Sequence, residues 1–194
     1  MPFFQKSGST LNVSRVNSNY LNPGLQLVGF RNMSAVTTAT ITTFDPRATT
    51  AFSSENLSYR LVIQELTCAT GAATVLLKLN VGGVATTDAE YYYGGISLSD
   101  AAATTLRNAN GAATGMRVGS AALTGAVTLC ATIDIHNPFA AGATGFQVEA
   151  REAAGTFSGG GIYKTSIAAD GLTLLNNNGY AMTGKMMLYA WRTA

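Results

Sequence analysis

Residues 123–139, LTGAVTLCATIDIHNPF, restrict this chain to very few folds. Val127, Leu129, Ala131, Ile133 and Ile135 take every second position, which in an extended strand sets all five on one face. Thr128, Cys130, Thr132, Asp134 and His136 alternate with them and fall on the other face. Gly125 opens the run and Asn137-Pro138 closes it, because proline has no N–H to give a ladder. A period-two run of this length, rich in β-branched residues, predicts a central strand with one buried face. Leu129 and Ile133 are then core residues. Such a strand needs partners.

The rest of the chain supplies them. Leu25 to Phe30 and Val36 to Phe44 read as short strands, the second ending at the turn signal Asp45-Pro46. Tyr59 to Leu66 and Thr74 to Val81, joined by a loop around Thr70-Gly71, predict a hairpin. Tyr91 to Leu98 follows, with Gly94-Gly95 permitting a bulge. Ser99 to Arg107 is the one segment whose alanines and capping Ser99 or Asp100 suggest a short helix. Gly145 to Glu152 pairs back on the organising strand across the turn at 137–143. Ser158-Gly159-Gly160-Gly161 reads as a strand-joining loop before Ile162 to Ile167. Leu172 to Leu175 and Gly184 to Arg192 complete the series, and the first and last strands are expected to meet. Nine or ten strands with almost no helix predict an all-β fold: an antiparallel, jelly-roll-like β-sandwich with an extended N-terminal arm.

Composition narrows what such a fold could do. At 194 residues the chain makes one domain, or one with an arm, large enough to bury a core unaided. Charged residues are only 11% of the chain, and the net charge of +2 is spread without clusters. That argues against a nucleic-acid footprint and for surfaces buried against copies of the same chain. No stretch approaches the apolar length of a membrane span, and MPFFQKSGST lacks the pattern of a secretory signal. Cys68 and Cys130 have no metal-ligand spacing and read as buried free thiols, as expected of a protein made in a reducing cytoplasm.

Candidate chemistry is thin. His136 is the single histidine, two residues from Asp134 on one strand face, and the plain reading is a polar face. Asp134, Glu149 and Glu152 are carboxylates that could serve glycoside hydrolysis, yet no aromatic cluster stands beside them in sequence. The glycine run at 158–161 lacks the lysine and following helix of a phosphate loop. In Tyr91-Tyr92-Tyr93 the outer two share a face, which predicts core packing over a ligand platform. No catalytic, cofactor-binding or metal-ligating residue is assigned, and no cofactor is expected.

Residues 1–56 differ in texture and form the expected first region, an arm with short strands, with residues 57–194 as the sandwich domain. Met1 to Tyr20 carries Phe3, Phe4, Leu11 and Val13 without a period strong enough to fold alone. These four are the candidate docking residues, since aromatics so near a chain end ask for a partner.

The succession Tyr59-Arg-Leu-Val-Ile, Val75-Leu-Leu-Lys-Leu with its Gly-Gly turn, and Tyr91-Tyr-Tyr resembles a recurring β-sandwich of tailed-bacteriophage virion proteins. Thr132-Ile-Asp-Ile-His-Asn-Pro138 matches their I-x-I-x-N-P strand end. Gly184-Lys-Met-Met-Leu188-Tyr189-Ala190 looks like their closing G-T-I-R-L-Y-G strand, with alanine where glycine is usual. The resemblance covers Tyr59 to Arg192. It implies a virion component found in head decorations, head fibres, tail fibres or baseplates, commonly as a homotrimer. The expected function is therefore a non-enzymatic capsid decoration, or cement, protein on the virion surface. Its expected partners are itself and the major capsid protein or other virion proteins. A tail-fibre or baseplate module binding a host glycan or receptor is the alternative, and a small carbohydrate-active jelly-roll enzyme a third reading.

Overall fold

A computed structural model describes residues 24–41, 50–54, 56–69, 74–99, 104–119, 128–152 and 155–191. Among them are thirteen strands. In chain order they are β1 (Leu25–Val36), β2 (Thr38–Ile41), β3 (Ser58–Cys68), β4 (Val75–Val81), β5 (Val84–Ala85), β6 (Tyr91–Ser99) and β7 (Thr104–Ala113). Then come β8 (Met116–Arg117), β9 (Leu129–His136), β10 (Thr144–Glu152), β11 (Gly155–Tyr163), β12 (Gly171–Asn176) and β13 (Met182–Trp191). Eight of them form one sheet in the order β1-β13-β3-β9-β10-β11-β6-β7. A second sheet runs β2-β12-β4-β5, with β8 also on β4. Every pairing is antiparallel, and the fold is the expected all-β sandwich.

The organising strand sits at the middle of the large sheet. Leu129, Ala131, Ile133 and Ile135 are buried, while Cys130 and His136 are exposed. β10 beside it alternates the same way, burying Phe146, Val148 and Ala150. Leu77, Leu79, Leu172 and Leu174 of the small sheet join them in one core. The strand ends where predicted. Asn137 takes a φ of 61°, a conformation asparagine tolerates better than most residues, and its N–H donates to the carbonyl of Leu57 at 2.7 Å. The first and last strands do meet, from Leu25 opposite Trp191 to Val36 opposite Met182. Residues 25–41 of the expected arm region thus enter both sheets, with Met33, Ala39 and Ile41 in the common core.

Three local expectations are corrected. Tyr59 to Leu66 and Thr74 to Val81 are not a hairpin: β3 pairs with β13 and β9, and β4 with strands of the other sheet. Both are apolar enough to be central, so each fills its valences with long-range partners. Of the helix expected over 99–107, the described residues are strand: Ser99 ends β6 and Thr104 to Arg107 open β7, paired from Leu98 opposite Thr104. The alanines that suggested the helix, 101–103, lie outside the described residues, and the β-branched Thr104 and Thr105 fit the ladder better than a helix. Ser158 to Gly161 is no loop either, but the centre of β11.

The glycines there have a packing reason. Gly95 and Gly159 stand opposite each other on β6 and β11. A Cβ at Gly95 would lie 2.5 Å from the Phe157 ring, and one at Gly159 would lie 2.6 Å from the Gly94 carbonyl. Phe157 is buried because its ring lies over this bare strip of backbone.

A second irregularity shapes the opposite half of the sheet. Register slips between Ile63 and Leu66 on β3, around Gly184 on β13 and between Met33 and Val36 on β1. β1 and β3, on either side of β13, therefore each carry an extra residue at one level. Glu65 and Ala35 take φ of 51° and 54° in these bulges, strain that a non-glycine residue bears only when its surroundings enforce it.

Candidate functional site

The outer face of the large sheet carries the side chains with a claim to function, and the register sets them in cross-strand rows. At the β1 end three pairs are apolar: Leu25 with Trp191, Leu27 with Tyr189, and Phe30 with Met187. At the far end Tyr92 stands opposite Ile162, and Ile96 and Leu98 follow along β6. Leu25, Leu27, Trp191, Ile96, Leu98 and Ile162 are all exposed. Between these ends the face is polar.

The polar middle is built of fixed pairs. Arg60 of β3 and Asp134 of β9 are direct neighbours and form a two-point ion pair, both N···O distances being 2.7 Å. That carboxylate holds the Arg60 guanidinium above its usual range, although desolvation opposes it. The Arg60 cation also lies 5.2 Å from the centre of the Trp191 ring. His136 Nδ1 lies 3.1 Å from the Ser58 hydroxyl. Glu149 accepts a 2.6 Å hydrogen bond from Ser158 on β11. Tyr92 projects outward, with the Lys164 ammonium 5.5 Å from its ring centre. Tyr91 is in the core, and Tyr93 packs against it, as the sequence implied.

The bulge in β3 opens a groove in this face. Ile63 pairs with Ala131 and Leu66 with Leu129, so Gln64 and Glu65 together oppose Cys130. The depression above Cys130 and Thr132 has a volume of about 430 Å³ and is walled by Val62, Gln64, Glu149, Arg151 and Thr156. Cys130 is exposed here, not buried as the sequence suggested. Cys68 is buried and free; desolvation pushes its thiol up, against a 3.4 Å hydrogen bond from the Asn176 amide. Alternation had already set Cys130 on the face away from the core, and the bulge opposite it adds to its exposure.

The three carboxylates considered for hydrolysis are not assembled. Asp134 and Glu149 share the outer face, but each is engaged by its own partner. Glu152 is on the other face, buried at the end of β10. Among the described residues no group of three or more His, Cys, Asp or Glu is placed to hold a metal ion, and no helix is long and apolar enough to cross a membrane. Phe3, Phe4, Leu11 and Val13 lie outside the described residues.

A polar cluster that sequence reading missed lies where β6 begins. The Tyr91 hydroxyl accepts from the Leu79 N–H and lies 2.8 Å from the Thr86 hydroxyl. The Tyr163 hydroxyl donates to Asp88 at 2.6 Å, and the two tyrosine rings sit 4.6 Å apart. Burial pushes both phenols up to about 12. Asp88 lies three residues before Tyr91, but its partner Tyr163 is 75 residues away, so no local pattern announces the cluster. It links β4, the start of β6 and the end of β11 through hydrogen bonds.

No protein-family model matches this chain, and no curated protein matches it. Among solved structures, a human SPRY domain aligns over 83% of this chain and 96% of its own length, at 13% identity and a TM-score of 0.33. A likeness at that level carries no argument about this chain.

Proposed function

We propose that this chain is a non-enzymatic structural protein of a tailed-bacteriophage virion, a homotrimeric capsid decoration protein docked on the particle through its N-terminal arm. The observation that carries the reading is the distribution of exposed apolar side chains on the large sheet. They gather at its two ends, Leu25, Leu27 and Trp191 at one and Ile96, Leu98 and Ile162 at the other. On a chain with only 11% charged residues, two such patches suit contacts between protein surfaces. The engagement of Asp134 by Arg60 and of Glu149 by Ser158 favours structural roles for the carboxylates nearest the groove. The resemblance of Tyr59 to Arg192 to virion sandwiches adds the particle, and Phe3, Phe4, Leu11 and Val13 are the contacts assigned to it.

Quantifying the protein on purified particles tests this. Hundreds of copies per virion, lost on deletion of Met1 to Tyr20 while the sandwich stays folded, are the expected result. Normal occupancy after the deletion would move the docking surface to the sandwich. The open groove favours one second reading, a tail-fibre or baseplate module that takes a host glycan there, for which a few tens of copies or fewer would speak. Release of sugar from host polysaccharide, lost in Glu149→Gln or Asp134→Asn, would overturn both.

A further inference from the structure

Several segments of the chain come together at one end of the sandwich. The described fold begins there at Gly24: Leu25 stands opposite Trp191, Trp191 opposite Ser58, and Ser58 opposite His136. Leu57 and Asn137 lie one residue beyond that row, joined by the 2.7 Å hydrogen bond from the Asn137 N–H to the Leu57 carbonyl. The small sheet reaches the same end through the β4–β5 turn, since the Leu79 N–H donates to the Tyr91 hydroxyl where β6 begins. Asp170 fastens these loops together. Its N–H donates to the Asn80 carbonyl at 2.9 Å, and its own carbonyl accepts from the N–H groups of Ala51 and Phe52 at 2.7 and 3.2 Å. Its carboxylate accepts from the Gly83 N–H at 2.8 Å. Gly82 and Gly83 take φ of 60° and 76°, the two positive angles of a type I′ turn. The turn is thus held in one shape, and it presents Val81 and Val84, a cross-strand pair 41% and 68% exposed. Val81 follows Leu77 and Leu79 on the core-facing side of β4 but lies past the end of the core. Leu57, at the same end, is 60% exposed.

We infer that this end of the sandwich is a second docking surface, which seats on the same particle protein as the arm and sinks Val81 and Val84 into an apolar depression there, with Leu57 beside them. The inference rests on the proposed docking through the arm. The place where the chain enters the fold argues for that occupant over another copy. Residues 1–23 join the sandwich at this end, so an arm fixed to the particle brings this end, and not the opposite one, against the same surface. Three side chains make too small a contact to hold a protein alone. Tethered to a docked arm, they act at an effective concentration of about millimolar, where a small contact suffices. The turn is already fixed by Asp170, so seating it costs little ordering. Leu25, Leu27 and Trp191 stay on the outer face for contacts between copies.

Titrating the full chain onto purified particles that lack it tests the inference. The wild type should bind, and Val84→Asp and Leu57→Asp should each weaken binding by about tenfold. Both side chains are exposed, so far-UV circular dichroism and urea unfolding should not change. Tyr180→Asp, at an exposed position near the opposite end beside the start of β13, should bind as the wild type does. Wild-type affinity in folded Val84→Asp and Leu57→Asp would overturn the inference and leave docking through the arm standing. So would an oligomer that falls apart in Val84→Asp by light scattering while particle binding holds, which would assign the turn to a second copy. Failure of the wild type itself to bind would overturn the arm reading and this inference together.

Discussion

Arg60 and Asp134 stand opposite each other on β3 and β9 and share two hydrogen bonds, Nε to Oδ1 and Nη2 to Oδ2, each 2.7 Å long. The pair lies on a partly solvated face, its side chains 33% and 22% exposed, so water and salt screen it. A double-mutant cycle with Arg60→Ala and Asp134→Ala should give a coupling of about 0.5–1 kcal/mol, the upper range for exposed pairs because the geometry is two-pointed. The coupling should shrink at high salt. A value several-fold larger would mean the pair is sealed from solvent, for instance by a docked partner.

Thr144 is fully buried, and its hydroxyl oxygen has no partner. Threonine and valine have nearly the same shape, so Thr144→Val removes an unmatched polar group without opening a cavity. The variant should be more stable by about 1–2 kcal/mol, the desolvation recovered. Urea unfolding measures it. A loss of stability would reveal a bound water or an unseen acceptor at that hydroxyl.

The tyrosines of the β6 cluster make stability depend on pH at the alkaline end. Tyr91 and Tyr163 titrate at about 12 in the fold, against about 10 in an unfolded chain. The folded form therefore keeps protons that the unfolded form releases between these values. The stabilisation is complete below pH ~10 and is lost as pH rises towards ~12. Melting temperature should fall across that window, and less steeply in Tyr91→Phe or Tyr163→Phe. Identical slopes in the wild type and both variants would sink the assignment.

Two substitutions separate core burial from backbone crowding. Ile133→Ala or Leu129→Ala removes a fully buried side chain from the central strand and should cost about 2–5 kcal/mol. Gly159→Ala adds only a methyl group, yet that atom would lie 2.6 Å from the Gly94 carbonyl and 2.7 Å from the Phe157 ring. A cost of about 1–3 kcal/mol is expected from that crowding, measured by the same unfolding curves. If Phe157→Leu relieves it, the ring and not the carbonyl sets the limit.

The sequence by itself determined β9, β10 and β13, and it did so because burial on one face is written into a strand as strict alternation. Leu129 to Ile135 could be read as core, and Asn137-Pro138 as the strand's end, without knowing any neighbour. The same logic placed Tyr91 and Tyr93 inward. Other features were set by partners far along the chain. β3 and β4 both carry enough apolar residues to be central, and nothing local says that one belongs to each sheet. The alanines that suggested a helix, 101–103, lie outside the described residues, while the β-branched Thr104 and Thr105 and Leu106 join a ladder to β6. Gly159 is legible as part of a strand only once Gly95 and Phe157 are known to meet it. The groove above Cys130 comes from a two-residue bulge, Gln64-Glu65, that leaves the alternation on β9 untouched. Periodicity records which face a residue turns to the core; it holds no record of which strand lies alongside, and that choice rests on the total burial of the finished sandwich.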